Sequence, residues 1–530
     1  MIKQQLAKLG KQNFMMQGGL LAISGIIVRI IGMLYRIPMA NIIGPQGSGI
    51  YSAAFNVYNI ALILSSYGMP MAVSKLVSAR LTTNQHRNVM QVALRALVVA
   101  VITGGIAALI LFFGAEGIEH LLYTFIPGVK SPLKILAPTV LIVAVLGVFR
   151  GFFQGQGNMV PTAISQLIEQ IVNAVVSVIA SYGFMRAYIE SANPGEYGAM
   201  GGTLGTCLGA AAALAVVIFL VFRNRFIYRS KLQEDTVSDN VSVVETYKLI
   251  LATVVPIIIG QTFYNVSAML DDILFNKIMI MHTDEMTIST LLGNYGQSFS
   301  TLTSIPMGIA SAMSASMLPS VVRSFTEGSY GEINNKIRKT IRITMIVAIP
   351  IMVALMVLGQ PVIELLFRRY DAVQGSIMLK VGGAAIVFYT LSTITGSALQ
   401  GIDKMRLPVR HSAIALAVHI PLVVILLVAG AGIYSLVIGV MVFAFIVFIL
   451  NMRSLYKYNG YHQEYSVTFL LPLFASAIMG IVILLLYKGL YALIGHNLPV
   501  LIITGIAAVV VYFGVFYLLK KRNVFKKAYI

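Results

Sequence analysis

Tryptophan is absent from this 530-residue chain, and cysteine occurs once, as Cys207. A single cysteine excludes an internal disulfide and a cysteine-built metal cluster. Among its small neighbours, GGTLGTCLGAAAA, it reads as a helix-packing residue. Charge is scarce as well: Asp, Glu, Lys and Arg make up 11% of the residues, against about 25% in soluble domains. Negative charge is the scarcer sign, with 19 acidic residues against 38 basic ones. The sequence has no HExxH, no phosphate-binding Walker A loop, no Gly-x-Ser-x-Gly elbow and no aspartate-rich metal motif. Its seven histidines are scattered, and His411 and His419 lie too far apart to pair on one helical turn. These absences argue against an enzyme. Without an ATPase domain of its own, any transport is driven by an ion gradient, the membrane potential or a downstream sink. No cofactor is expected beyond a coupling ion, Na+ or H+.

What is present is apolar. Hydrophobic residues are 58% of the chain and the mean hydropathy is +0.85, the composition of a polytopic membrane protein. Apolar runs separated by turn residues predict fourteen spans, near 16–40, 48–78, 89–114, 133–155, 160–188, 199–222, 247–279, 288–320, 341–359, 376–400, 411–429, 432–452, 466–489 and 499–519. Each is long enough to cross a bilayer, which takes roughly 17–25 residues. The basic start, MIKQQLAKLGKQNF, runs into the first span without a small-residue cleavage site, so no removable signal peptide is expected. With the N-terminus inside, only Lys130, Lys134, Arg186, Lys277, Arg368, Arg369, Lys380 and Lys488 of the 38 basic residues fall outside. That bias predicts that both termini are cytoplasmic. The clusters RNRFIYRSK (Arg223–Lys231) and KIRKTIR (Lys336–Arg342) then read as inside anchors touching membrane lipids. Nucleic-acid binding is not expected, because neither cluster sits in a soluble domain. The 25 tyrosines take over the interfacial role that tryptophan usually shares.

Two short segments recur at nearly one offset. GIYSAAF (Gly49–Phe55) returns as GNYGQSF (Gly293–Phe299), 244 residues on. FQGQGNM (Phe153–Met159) returns as LQGIDKM (Leu399–Met405), 246 residues on, with a proline shortly after each copy. The repeat divides the chain into an N-lobe at 1–222, a cytoplasmic linker at 223–246, a C-lobe at 247–452, and helices 13–14 with a basic tail at 453–530. Six spans per half give both halves the same orientation, so the expected fold is all-α, with two parallel six-helix lobes around a central cavity.

Against this apolar background the charges inside spans stand out. The first span carries Arg29 and Arg36. An arginine near the bilayer centre costs roughly 2.5–3.5 kcal/mol on translocon scales. Seven residues turn a helix by about 700°, which puts both guanidiniums within about 20° of one face. Two cations on one stripe suggest a water-accessible cavity that binds an anion. The alternative is that Arg36 snorkels to an interface and Arg29 pairs with a carboxylate. In the fifth span, Glu169 and Asn173 share a face beside Gln166 and Gln170, lining the cavity or holding helices together. In the seventh, Asp271 and Asp272 point about 100° apart, so that one faces the cavity or a cation while the other pairs locally.

Three segments carry a family resemblance: VRIIGMLYRIPMANIIGPQGSGIYSAAF, GFFQGQGNMVPTAISQLIEQIV and SIPMGIASAMSASMLPSVV. They resemble the MurJ/MviN-type lipid II flippases, in the Gram-positive branch that includes stage V sporulation protein B-like members, of the multidrug/oligosaccharidyl-lipid/polysaccharide exporter superfamily. The resemblance spans essentially the whole chain. It implies that Arg29 is the functional arginine of the first helix, with a second at or beside Arg36, and that a sodium-site aspartate of some members matches Asp271. Further family arginines in helices 2 and 8 fall on Leu62–Ile63 and Thr301 here, so this cavity is the less cationic one. The implied activity is alternating-access flipping of a polyprenyl-diphosphate-linked saccharide, lipid II first. Arg29, Arg36, Glu169 and Asn173 would contact the substrate, and Asp271 a cation. Cell-wall synthesis proteins are the implied partners. The rivals are a flippase for another lipid-linked glycan, a cation-coupled multidrug antiporter and a non-transporting scaffold.

Overall fold

A computed structural model describes residues 2–81, 85–223, 235 and 243–522. These are helical almost throughout, with no extended strand among the described residues. Apolar runs flanked by few charges close their backbone hydrogen bonds within each helix, which is what a bilayer requires. Eleven helices are long and apolar enough to cross a membrane, or twelve when the bent pair Ala372–Gly382 and Ala385–Gly401 counts as one span. The protein is a multi-pass membrane protein.

The chain falls into two compact units, Met1–Met269 and Leu270–Ile530. The first opens with α1 (Ile2–Ser65), α2 (Met69–Leu81) and α3 (His86–Leu122). It continues through α4 (Lys130–Gly155), α5 (Val160–Ala187) and α6 (Pro194–Arg223). Most of the expected linker, 223–246, lies outside the described residues. The long run α1 is broken at Gly44, whose φ of 71° and ψ of 178° leave the helical region. Pro45 follows directly, and a residue before proline is pushed out of the α region. Glycine alone takes the resulting backbone angles without a Cβ clash. The break separates the first two expected spans.

α5 and α6 pack closely along a glycine stripe on α6. A Cβ on Gly205 would stand 2.5 Å from the Ser177 backbone nitrogen, and one on Gly209 would stand 2.6 Å from the Glu169 carbonyl oxygen. A Cβ on Gly201 would collide with the backbone at Ser181. This four-residue spacing of small residues lets transmembrane backbones touch. The core of the first unit joins Met69 and Val73 of α2, Val89 and Ala96 of α3, and Ala144 and Val148 of α4. Ile250 and Val254 belong to it too, from α7 (Val243–Met279).

The second unit takes the end of α7 and then α8 (Glu285–Asn294). A π-helical turn, Tyr295–Thr301, leads into α9 (Leu302–Thr326). Next come α10 (Tyr330–Leu366), α11 (Ala372–Gly382), α12 (Ala384–Gly401) and α13 (Arg406–Val428). α14 (Tyr434–Asn459), α15 (Leu471–Ile494) and α16 (Asn497–Lys521) complete it. Its core interleaves Val321 of α9, Ile337 and Ile341 of α10, Ile394 and Ala398 of α12, and Leu455 of α14. Between α14 and α15 a short loop buries Tyr461, Gln463 and Glu464. The fully buried Glu464 carboxylate is ion-paired with Arg342 of α10.

The second repeated segment keeps its local structure in both copies. Asn158 N donates to Phe153 O at 3.0 Å, and Lys404 N donates to Leu399 O at 2.9 Å. Gly157 N reaches Gln154 O at 2.9 Å, and Asp403 N reaches Gln400 O at 3.2 Å. Both copies thus close a helix with the same left-handed turn, Gly157 at φ 76° and Asp403 at φ 59°. Asp403, exposed at the surface, fills the left-handed position that glycine fills in the first copy.

Candidate functional site

In the first unit the two arginines of α1 differ in environment. Arg29 is exposed, whereas Arg36 is half-buried, next to the rings of Tyr35 and Tyr51. Between them, at Gly32, α1 meets α5: a Cβ there would stand 2.9 Å from Nε2 of Gln170. Asn173, one turn beyond Glu169 on α5, donates from Nδ2 to the Tyr35 hydroxyl at 3.3 Å. Its Oδ1 accepts from the Ser177 hydroxyl at 2.8 Å. Asn173 therefore steadies the tyrosine next to Arg36.

Glu169 is engaged elsewhere. Its Oε2 lies 2.7 Å from Nη2 of Arg150, and Nε of Arg150 donates to Ser165 Oγ at 3.0 Å. Counted by sequence among the inside basic residues, Arg150 is instead a largely buried side chain, 14% exposed. α4 and α5 form an antiparallel hairpin about the turn at Gly157, which brings positions 150 and 165–169 face to face. Folding the sequence about that turn would have revealed the pair.

In the second unit the expected cation residue has a partner that the sequence did not suggest. Asp271 Oδ1 lies 2.6 Å from Nε2 of His419 on α13, and both side chains are buried. Phe443 of α14 meets the imidazole edge to face, with ring centroids 5.9 Å apart. A Cβ on Gly439 would come within 2.8 Å of His419 Cε1, so glycine makes room for the ring. Asp272 is buried alongside. His411 is buried on α13 too, and its Nδ1 lies 2.7 Å from Asn451 Oδ1. The repeat offset of 246 carries Asn173 onto His419. Applied residue by residue, that offset would have singled out this histidine. Thr301, where the resemblance implied an absent arginine, is buried and donates to Gly296 O at 2.9 Å.

Each unit thus holds a polar cluster on apolar helices, arginine-bearing and partly exposed in the first, a buried carboxylate–imidazole pair in the second. The family model described as polysaccharide biosynthesis protein matches residues 15–325, which carry all of the first cluster and Asp271 of the second. The chain belongs to the polysaccharide biosynthesis protein family. A second model, MatE, matches residues 256–425 and takes in both Asp271 and His419. Among the family's characterised relatives, the lipid II flippase MurJ of Bacillus subtilis (strain 168) is 26% identical over 86% of this chain and 85% of its own length. Stage V sporulation protein B of the same organism is 23% identical over 79% and 78%. A solved structure of lipid II flippase MurJ in an inward closed conformation shares the fold, with a TM-score of 0.69 at 14% identity, covering 95% of this chain and 99% of that one.

Proposed function

We propose that this chain flips a polyprenyl-diphosphate-linked saccharide across the bacterial cytoplasmic membrane by alternating access, with the peptidoglycan precursor lipid II as cargo. Fourteen crossings would carry it. α1 supplies one on each side of Gly44, the second continuing through α2, and α7, α8–α9 and α11–α12 supply one each. The other helices from α3 to α16 add nine. Both termini would lie inside, as the charge bias requires.

Arg29 carries the proposal: a guanidinium exposed in the middle of an apolar helix, on one stripe with Arg36. Such a group recognises phosphate oxygens through paired, charge-assisted hydrogen bonds. Arg36, steadied by the tyrosines, would take the second phosphate, while Asn173 and Tyr35 offer hydrogen bonds to the sugar. Glu169 would act indirectly, by holding Arg150 in place.

Coupling would run through Asp271. An alkali cation takes oxygen ligands, as hard cations do, yet the nitrogen of His419 stands against Oδ1. A proton shared between carboxylate and imidazole would fit this pair better than sodium would. The MatE match over the same residues keeps one rival in view, the cation-coupled multidrug antiporter. Depletion of the protein in growing cells separates the two. Inner-leaflet accumulation of lipid II or another lipid-linked glycan is expected; unchanged lipid pools with increased sensitivity to cationic drugs would favour the antiporter.

A further inference from the structure

A basic feature of the second unit lies at the end of α14. An open cavity of about 660 Å³ is lined by Arg453, Tyr456, Lys457, Gly460 and His462. Three of these five carry or can carry positive charge, and none of the described lining residues is a carboxylate. Its wall is fixed in place. Gly460, at φ 58°, turns the chain out of the helix, and its N–H bonds Tyr456 O at 2.9 Å. The turn brings His462 back onto Tyr456, edge to face at 5.0 Å. Arg338 donates to the His462 carbonyl at 3.0 Å, and Gln463 donates to Thr468 Oγ1 at 2.9 Å, so the loop behind the cavity is anchored.

One face of α14 leads to this cavity and is apolar. Phe445, Ile449 and Tyr456 are exposed large hydrophobic side chains. At about 100° per residue, they and Arg453 fall within roughly 80° of one another on the helix. The stripe ends where the cations begin.

We propose that this surface is a binding site for an anionic membrane phospholipid. The acyl chain would lie along Phe445 and Ile449, and the headgroup phosphate between Arg453, Lys457 and His462. A soluble phosphate would use the cavity and leave the stripe uncovered. A zwitterionic lipid would use the stripe but present its own cation to the basic side chains. The arrangement therefore selects an amphiphile with a net negative head. The site is independent of the transport reading, since it shares no residue with either polar cluster.

Retained lipid on the purified full-length protein in neutral detergent, counted by native mass spectrometry, tests this. Phosphatidylglycerol is expected to bind in clear preference to phosphatidylcholine. The double substitution Arg453→Gln and Lys457→Gln should weaken phosphatidylglycerol binding about tenfold or more, each basic residue near an anionic headgroup contributing roughly a fivefold factor. Phosphatidylcholine binding should not change. Lys520→Gln with Lys521→Gln, the same charge change on α16, should leave the preference intact. Arg453, Lys457, Lys520 and Lys521 are not buried, so both doubles are expected to fold, and a matching gel-filtration profile checks it. Ile449→Asn should weaken retention of both lipids. Equal phosphatidylglycerol retention by wild type and the α14 double overturns the proposal, as does equal loss in the α16 double. Displacement by glycerol 3-phosphate at equal concentration would show a soluble-anion site instead. Displacement by farnesyl diphosphate at well below the phosphatidylglycerol concentration would make it a station for diphosphate lipids, and the proposal would fall.

Discussion

Arg29 and the Asp271–His419 pair are where single side chains decide the outcome. Arg29→Ala should abolish outward exposure of the lipid-linked cargo while leaving folded protein in the membrane, since loss of an intramembrane charge does not penalise insertion. Arg29→Lys should restore it only in part, because an ammonium lacks the planar fork of donors. Outer-leaflet lipid II per folded molecule is the quantity to measure, and a normal value for Arg29→Ala would remove the first cluster from the mechanism. Asp271→Asn and His419→Gln should each uncouple flipping from an imposed pH gradient, and Asp272→Asn should affect it less. Replacing sodium with choline in vesicles should change nothing; a sodium requirement would contradict proton coupling. Truncating one member of a buried charged pair can cost about 3–5 kcal/mol of stability, so rates here need normalising to folded protein. The arginines were legible because a charge in an apolar run announces itself. His419 was harder to read, because its partner lies 148 residues away in the chain and only the repeat offset from Asn173 marks it.

Among the elements, the contact between α5 and α6 has the least tolerance. Gly205→Leu would drive a side chain into the backbone of α5 at Ser177, and overpacking usually costs about 1–3 kcal/mol. The expected result is a lower midpoint in thermal unfolding and less folded protein, whereas Gly183→Ala on α5, with open space around its Cβ position, should be neutral. An unchanged midpoint for Gly205→Leu would mean the two helices can separate at little cost. Helix positions were largely readable from hydropathy, although the second expected span, 48–78, crosses the turn between Ser65 and Met69, and eleven or twelve helices are long and apolar enough to span. The break at Gly44 follows from the Gly-Pro pair. The sequence left other contacts hidden. Arg150 counted only as one more inside charge because hydropathy reports how apolar a segment is, and not which neighbour its charges face. The π-helical turn at Tyr295–Thr301 has no marker in residue spacing, since one extra residue per turn leaves the composition unchanged.

At the scale of the whole molecule, the proposed topology places residues on opposite sides of the membrane, and labelling can count them. In a Cys207→Ser background, Ser191→Cys and His282→Cys should react with an impermeant maleimide in intact cells. Asn158→Cys and Lys404→Cys should react only after permeabilisation. A reversed pattern, or Asn158→Cys and Lys404→Cys on different sides, would break the parallel arrangement of the two repeats. The repeat was legible in two short segments, and its best support is local: the same left-handed turn closes α4 and α12 at positions 157 and 403.

The buried Glu464 has a meaning in time as well as in space. α15 and α16 leave the ribosome after α10, so Arg342 has already been made by then. A carboxylate that ends fully buried is costly without its guanidinium, so the pair is expected to matter most when the hairpin of α15 and α16 docks. Arg342→Gln should leave early helices inserted while the final hairpin stays open to proteases, seen as a stable fragment ending near residue 460. Glu464→Gln, which removes the charge to be buried, should dock more readily than Arg342→Gln, and the double substitution should recover much of the loss. If neither single substitution changes the digestion pattern, the last two helices are accepted on apolar packing alone.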